Sequence, residues 1–182
     1  YDDDDMITLV SKAIPELNKA QASSVAHHIS LAKDYCYLPD SPHLSDITND
    51  LDFPRYYKLY QQRLRQTGNV DFGDLIMLPV LLLEQNEQIR SQMHYRFKVI
   101  LVDEYQDSNA VQDAIFGALT AKRQNCFMVG DVKQSIYQFR LADPSIFIDK
   151  YNRYVSAEEA ENGQGRKVVL SSNFRSCGRV IE

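Results

Sequence analysis

The chain has 182 residues, of which 44% are hydrophobic and 25% charged, with a net charge of −5. That apolar content supports a buried core and excludes a disordered chain, and the acidic balance excludes an all-round basic nucleic-acid wrapper while leaving a local binding groove open. No apolar run nears the roughly 18 residues of a membrane span, no signal-peptide pattern opens the chain, and neither Cys36, Cys126 and Cys177 nor His27, His28, His43 and His94 have disulfide-frame or metal-ligand spacing, so a cytoplasmic globular protein with no membrane association is expected.

Tyr1–Asp5 (YDDDD) carries a run of like charges that repels itself, and is expected to be a tag or disordered linker. Residues 6–66 read as a helical unit. Ser23 is a candidate N-cap for a helix bearing Val25, Ile29, Leu31 and Ala32, and Pro39–Pro42 reads as a loop. Pro54 suits a first helical turn, with Tyr56, Tyr57, Leu59, Tyr60 and Leu64 forming a broad face whose ordinary role is helix packing. Thr67-Gly68-Asn69 breaks that helix, and Leu75–Leu83 predicts another, kinked or divided at Pro79.

Three short apolar segments follow: Phe97–Val102, Cys126–Val129 and Lys167–Leu170. Each reads as a strand covered on both faces of a parallel sheet. One crossover helix carries Val111, Ile115, Phe116 and Leu119. The next has Asp143 as N-cap and Pro144 at its first position, then Phe147, Tyr151, Tyr154 and Val155, and Glu161–Gly165 turns into the last strand. Alternation of strand and helix means α/β with parallel pairing.

Three clusters stand at strand ends, where open α/β sheets bind ligands. In Val102–Asp107 (VDEYQD), two adjacent acids can divide nucleotide hydrolysis, one holding Mg²⁺ through water and the other orienting or deprotonating the attacking water. The same pair can equally open a loop and cap the next helix. In Val129–Arg140, Gly130 permits a tight exit, Gln134 can sense a terminal phosphate, and Tyr137, Phe139 and Arg140 can stack unpaired bases and grip phosphate; both aromatics in the core with Arg140 paired to Asp143 is the plainer alternative. In Leu170–Ser176, Arg175 can stabilise charge on a transferring phosphoryl group.

Taken together and in this order, these segments resemble the superfamily 1 DNA helicases of the UvrD, Rep and PcrA type. VDEYQD is similar to their motif II, GDVKQSIYQFR to motif III and SSNFRS to motif IV. Asp71–Leu75 (DFGDL) resembles the DFxDL segment ahead of motif II, and Ile29–Lys33 (ISLAK) resembles the helical insertion subdomain. Gln138–Phe147 (QFRLADPSIF) most resembles the AddA-type helicase–nuclease subunits.

The resemblance implies an incomplete RecA-like P-loop NTPase sheet, with residues 6–66 as a 1B-like insertion, 67–160 as the second part of a 1A-like motor domain and 161–182 as the start of a 2A-like one. It implies an ATP- and Mg²⁺-dependent motor moving on single-stranded DNA, 3′ to 5′. The implied partners are single-stranded DNA, duplex DNA and a helicase–nuclease partner subunit. Asp103 would help coordinate Mg²⁺ and Glu104 would be the catalytic base. Gln106, Asp107 and Gln134 would couple the γ-phosphate to the DNA site, with Phe174 beside the nucleotide and Arg175 as the arginine finger. Phe72, Tyr137, Phe139 and Arg140 would line the DNA path. Phe139 stands where UvrD-type proteins often carry Trp, and Phe174 where many carry Tyr.

None of the seven glycines belongs to a GxxxxGK[ST] phosphate cradle. The expectation is therefore a middle piece of a larger helicase, inactive alone and with exposed sheet edges. A non-catalytic helicase-like module binding DNA or a partner is the alternative.

Overall fold

The computed structural model describes residues 1–121, 125–134 and 142–170. Among the described residues the α-helices are α1 (Asp3–Ala13), α2 (Lys19–Asp34), α3 (Phe53–Gln66), α4 (Asp74–Gln85), α5 (Glu87–Arg96), α6 (Ala110–Thr120) and α7 (Pro144–Arg153). Four short strands are β1 (Ile100–Val102), β2 (Cys126–Met128), β3 (Val155–Ser156) and β4 (Arg166–Lys167). The described residues form a mixed α/β fold with small parallel sheets and flanking helices. Among them, no helix is long and apolar enough to cross a membrane.

The aspartate run is helical rather than disordered. Asp2 caps α1, its Oδ1 accepting from Asp5 N–H at 2.9 Å while Asp5 Oδ2 accepts from Asp2 N–H at 3.5 Å. Carboxylates at a helix start meet the unpaired N–H groups and the positive end of the macrodipole, which offsets their mutual repulsion. Helix α2 likewise begins a turn earlier than a Ser23 cap implies, because Asn18 and Gln21 form a reciprocal capping box. Pro54 sits in the first turn of α3, Gly68 leaves that helix at φ 70°, and α4 runs through Pro79 without dividing.

The first three helices enclose one core, in which Val10, Ile14, Ile29, Tyr57, Tyr60 and Leu64 are fully buried. Its edge is ionic. Lys33 of α2 is completely buried and donates to Asp71 Oδ2 at 2.5 Å and to Asp74 Oδ1 at 2.7 Å. Tyr60 O–H donates to the same Asp71 oxygen at 2.8 Å, and Asp74 N–H donates to Asp71 Oδ1 at 2.9 Å. Gln61 Nε2 reaches Asp74 at 3.4 Å. The surplus negative charge lies at the first turn of α4, where the helix dipole offsets it. At Gly73 a Cβ would stand 2.7 Å from Lys33 Cβ, so a side chain there would push the lysine out of the cluster. The acids of DFGDL thus join the helical unit to α4, crossing the expected boundary at residue 67.

The strands differ from expectation in extent and cover. β1 and β2 pair in parallel, Ile100 with Cys126 through Val102 with Met128. β1 begins at Ile100 rather than Phe97 because α5, whose polar sequence gives no apolar stripe, continues to Arg96. The third segment contributes only Lys167, which with Arg166 forms β4 and pairs with β3 in a separate parallel sheet. Tyr154 and Val155 accordingly leave the helix, Tyr154 as the C-cap of α7 and Val155 in β3. Leu101 and Phe127 are 74% and 60% exposed, so one face of the β1–β2 sheet is open rather than covered.

Lys33→Met leaves two buried carboxylates without their cation, and should cost about 3–5 kcal/mol in urea unfolding. Neutralising Asp71 and Asp74 to Asn in the same chain should recover much of that loss. A Lys33→Met cost below about 1 kcal/mol, the range of an exposed pair, would contradict the buried-cluster account.

Candidate active site

Both strands of the β1–β2 sheet exit at the same end. Val129 N–H donates to Val102 O at 2.8 Å, and Tyr105 N–H donates back to Val129 O at 2.9 Å, which folds the chain over the sheet's carboxyl end. Asp103 and Glu104 lie on the bend between these bonds, both exposed. Glu104 adopts φ 50°, ψ 41°, a left-handed conformation that a β-carbon disfavours. Residues held this way typically cost about 1–3 kcal/mol and persist where neighbours fix them. Here Asp103 Oδ1 accepts from Glu104 N–H at 3.0 Å, and the following 3₁₀ turn, Tyr105–Asp107, is anchored by Tyr105.

The second exit meets the first through side chains. Gln106, 4% exposed, accepts Asp131 N–H on its Oε1 at 3.0 Å, and its Nε2 donates to Asp107 Oδ2 at 3.5 Å. The Asp131 carboxylate in turn accepts from Gln134 Nε2 and from Lys133 N–H, each at 3.0 Å. Those two bonds, the Gln134 one first, hold the Asp131 carboxyl below the usual carboxylate range. Gly130 makes the meeting possible: a Cβ there would lie 2.6 Å from Gln106 Oε1 and 2.9 Å from Phe147 Cε2.

Behind the bend, Tyr105 is 1% exposed and packs against Phe116 and Phe147 at ring distances of 6.2 and 6.1 Å. Its hydroxyl donates to Asp113 Oδ1, which also accepts from Lys150 Nζ at 2.6 Å. Burial, followed by the bond to Asp113, pushes the Tyr105 phenol well up, so it stays a donor.

Among the described residues no group of three or more His, Cys, Asp or Glu is arranged to hold a metal. Asp103 offers an exposed carboxylate, and Asp107 Oδ1 is buried with no hydrogen-bond partner among the described residues. One or two hard oxygen donors fit Mg²⁺, which keeps several waters and takes other ligands from phosphate.

Residues 1–155 match the family of the UvrD/REP helicase N-terminal domain. The chain belongs to the UvrD/Rep helicase family. It is 48% identical over 67% of its length to the A-type subunit of an ATP-dependent helicase/nuclease from Alkaliphilus metalliredigens, covering 10% of that protein. It is 44% identical over 68% of its length to the Natranaerobius thermophilus protein of the same name, again covering 10%. The ATP-dependent DNA helicase Rep of Buchnera aphidicola is 31% identical over the whole chain, which spans 26% of it. The chain thus covers between a tenth and about a quarter of the length of these curated relatives.

In this UvrD/Rep-type chain, Gln106 and Gln134 meet at Asp131, Asp107 accepts from Gln106, and Asp103 and Glu104 lie at the adjoining bend. Phe72 sits elsewhere, 52% exposed on the loop between α3 and α4. Tyr137, Phe139, Arg140, Phe174 and Arg175 lie outside the described residues. Sequence reasoning missed Asp131 as the hub. The signal was its place after Gly130 with two acceptor oxygens, but its partner Gln106 lies 25 residues away.

Gly130→Ala should destabilise the fold by about 1–3 kcal/mol, as overpacking does, and should detach Gln106 from Asp131; an unchanged melt would contradict the close approach. In an NMR titration, the Asp131 carboxyl should protonate below the value of an unfolded Asp. The stabilisation linked to its two bonds is therefore fully present above the unfolded pKa and lost as pH falls through the lowered folded one. Gln134→Ala should raise the midpoint; no change would remove Gln134 as its main cause.

Proposed function

We propose that this chain supplies the hydrolytic half of a nucleotide site, within a RecA-like P-loop motor domain of a longer ATP-dependent DNA helicase or translocase. The observation that carries this reading is the bend at the carboxyl end of β1. There Asp103 and the left-handed Glu104 stand exposed beside a polar bridge joining Gln106 to Gln134 through Asp131. Family membership and the names of the relatives support it.

In this reading Asp103 holds Mg²⁺ through water, and the ion when bound supplies positive charge to offset that on the phosphates. Glu104 accepts a proton from the attacking water, and its exposure leaves the carboxylate open to that water. Gln134 contacts the terminal phosphate and signals through Asp131 and Gln106 to the hydrolytic turn. Phe174 lies beside the nucleotide and Arg175 acts as the arginine finger, a role typically worth 10³–10⁵ in rate. Phe72, Tyr137, Phe139 and Arg140 contact single-stranded DNA by stacking and phosphate binding. The phosphate cradle comes from elsewhere in the longer polypeptide, since these 182 residues hold no GxxxxGK[ST]. Duplex DNA and a nuclease partner subunit complete the assembly, as the helicase/nuclease names of the relatives suggest.

In the full-length motor, Glu104→Gln should lower the turnover number by about 10²–10⁴, the usual worth of a positioned base, with nucleotide affinity within about threefold of the parent. Retained turnover would remove Glu104 from the base role. Inactive parent protein that still binds single-stranded DNA would favour a non-catalytic module instead.

A further inference from the structure

Helix α7 follows the Tyr137–Arg140 segment in the chain, and it grips the hydrolytic turn at three levels. At its start, Asp143 N–H donates to Ser108 O at 3.1 Å. In its middle, Phe147 packs on Tyr105 and stands against Gly130, where an added Cβ would come within 2.9 Å of it. Further along, Lys150 Nζ donates to Asp113 Oδ1 at 2.6 Å and lies 5.4 Å above the Tyr105 ring.

All three levels converge on the residue after Glu104 or on its immediate neighbours. Among the described residues no hydrogen bond restrains the Glu104 carboxylate itself, so the backbone bend fixes the point from which that side chain extends. That bend is fixed by Tyr105, through its N–H to Val129 O and its buried ring and hydroxyl. The Lys150 and Asp113 side chains are 17% and 27% exposed, enough out of water for a charge-assisted bond to hold its geometry.

We propose that Asp113 and Lys150 are positioning residues for hydrolysis, locking Tyr105, and through it Glu104, to helix α7, so that a shift of α7 on DNA binding realigns Glu104. The inference rests on the proposed hydrolytic reading and adds to it the element that carries DNA occupancy to the base. Lys150 and Asp113 touch neither nucleotide nor DNA in this account; they act through Tyr105.

The test uses the full-length motor and measures the ratio of ATPase rates with and without oligo-dT, together with nucleotide and DNA affinities and the thermal midpoint. Lys150→Met and Asp113→Asn should each lower the stimulation ratio by about tenfold while both affinities stay within about twofold. The double variant should be no worse than either single one, because both remove one interaction. Tyr105→Phe, which keeps the buried ring, should lower the ratio in the same way, and Lys150→Arg should restore it. A lowered melting temperature with an unchanged ratio in every variant would overturn the proposal and leave the hydrolytic reading intact. A parent protein with no turnover, with or without DNA, would remove that reading and this proposal with it.

Discussion

One side-chain hydrogen bond locks the two strand exits together beyond their backbone pairing, Asp131 N–H to Gln106 Oε1 at 3.0 Å. Parallel strands bring their carboxyl ends to one edge, but the loops leaving them have no reason to meet unless something holds them. Here the first loop sends a buried glutamine across, and the second receives it beside a glycine that has no Cβ to obstruct it. The strained Glu104 bend, the Asp131–Gln134 contact and the packing of Phe147 all sit within reach of that crossing. Displacing Gln106 removes the side-chain link between Gln134 and the acidic bend, and leaves the Tyr105–Val129 backbone bond and the packing of Phe147 to join the two motifs.

A second polar device holds the helical unit in place. Lys33, Asp71, Asp74, Tyr60 and Gln61 form a buried cluster drawn from α2, α3 and the start of α4. A buried cation with two carboxylates contributes little net stability compared with apolar packing, yet removing one member is costly. Such a cluster therefore enforces one docking geometry more than it adds cohesion. It also separates two roles within DFGDL: Asp71, Gly73 and Asp74 set the structure of the turn, while Phe72 stays half outside it.

The features legible in the sequence are those with local causes. Asp143 and Pro144 begin α7, Pro54 begins α3, and Thr67-Gly68-Asn69 ends it, because caps and turns act over a few residues. The Asp-Glu pair falls at the end of β1, since a short apolar run followed by acids marks a strand exit. What escapes is non-local or depends on which of two opposed effects wins. The lysine of ISLAK is buried by pairing with carboxylates 38 and 41 residues away, too far along the chain for local pattern to show. Asp113 and Lys150 meet across 37 residues, with nothing in either segment to pair them. Mutual repulsion predicts disorder for the aspartate run, whereas the free N–H groups of a helix start decide its structure. The third apolar segment does not form the expected covered strand, because Val168–Leu170 has no neighbour in the described residues to cover it, at 63–85% exposure.

The proposed function requires hydrolysis at the Asp103–Glu104 bend to respond to DNA. Single-turnover ATP hydrolysis by the full-length motor, followed by rapid quench with and without single-stranded DNA, addresses that directly because product release does not enter the measured rate. The account predicts a chemical step accelerated by DNA by about tenfold or more, equivalent to about 1.4 kcal/mol in barrier. A hydrolysis step of the same rate with and without DNA, at saturating nucleotide, would contradict it.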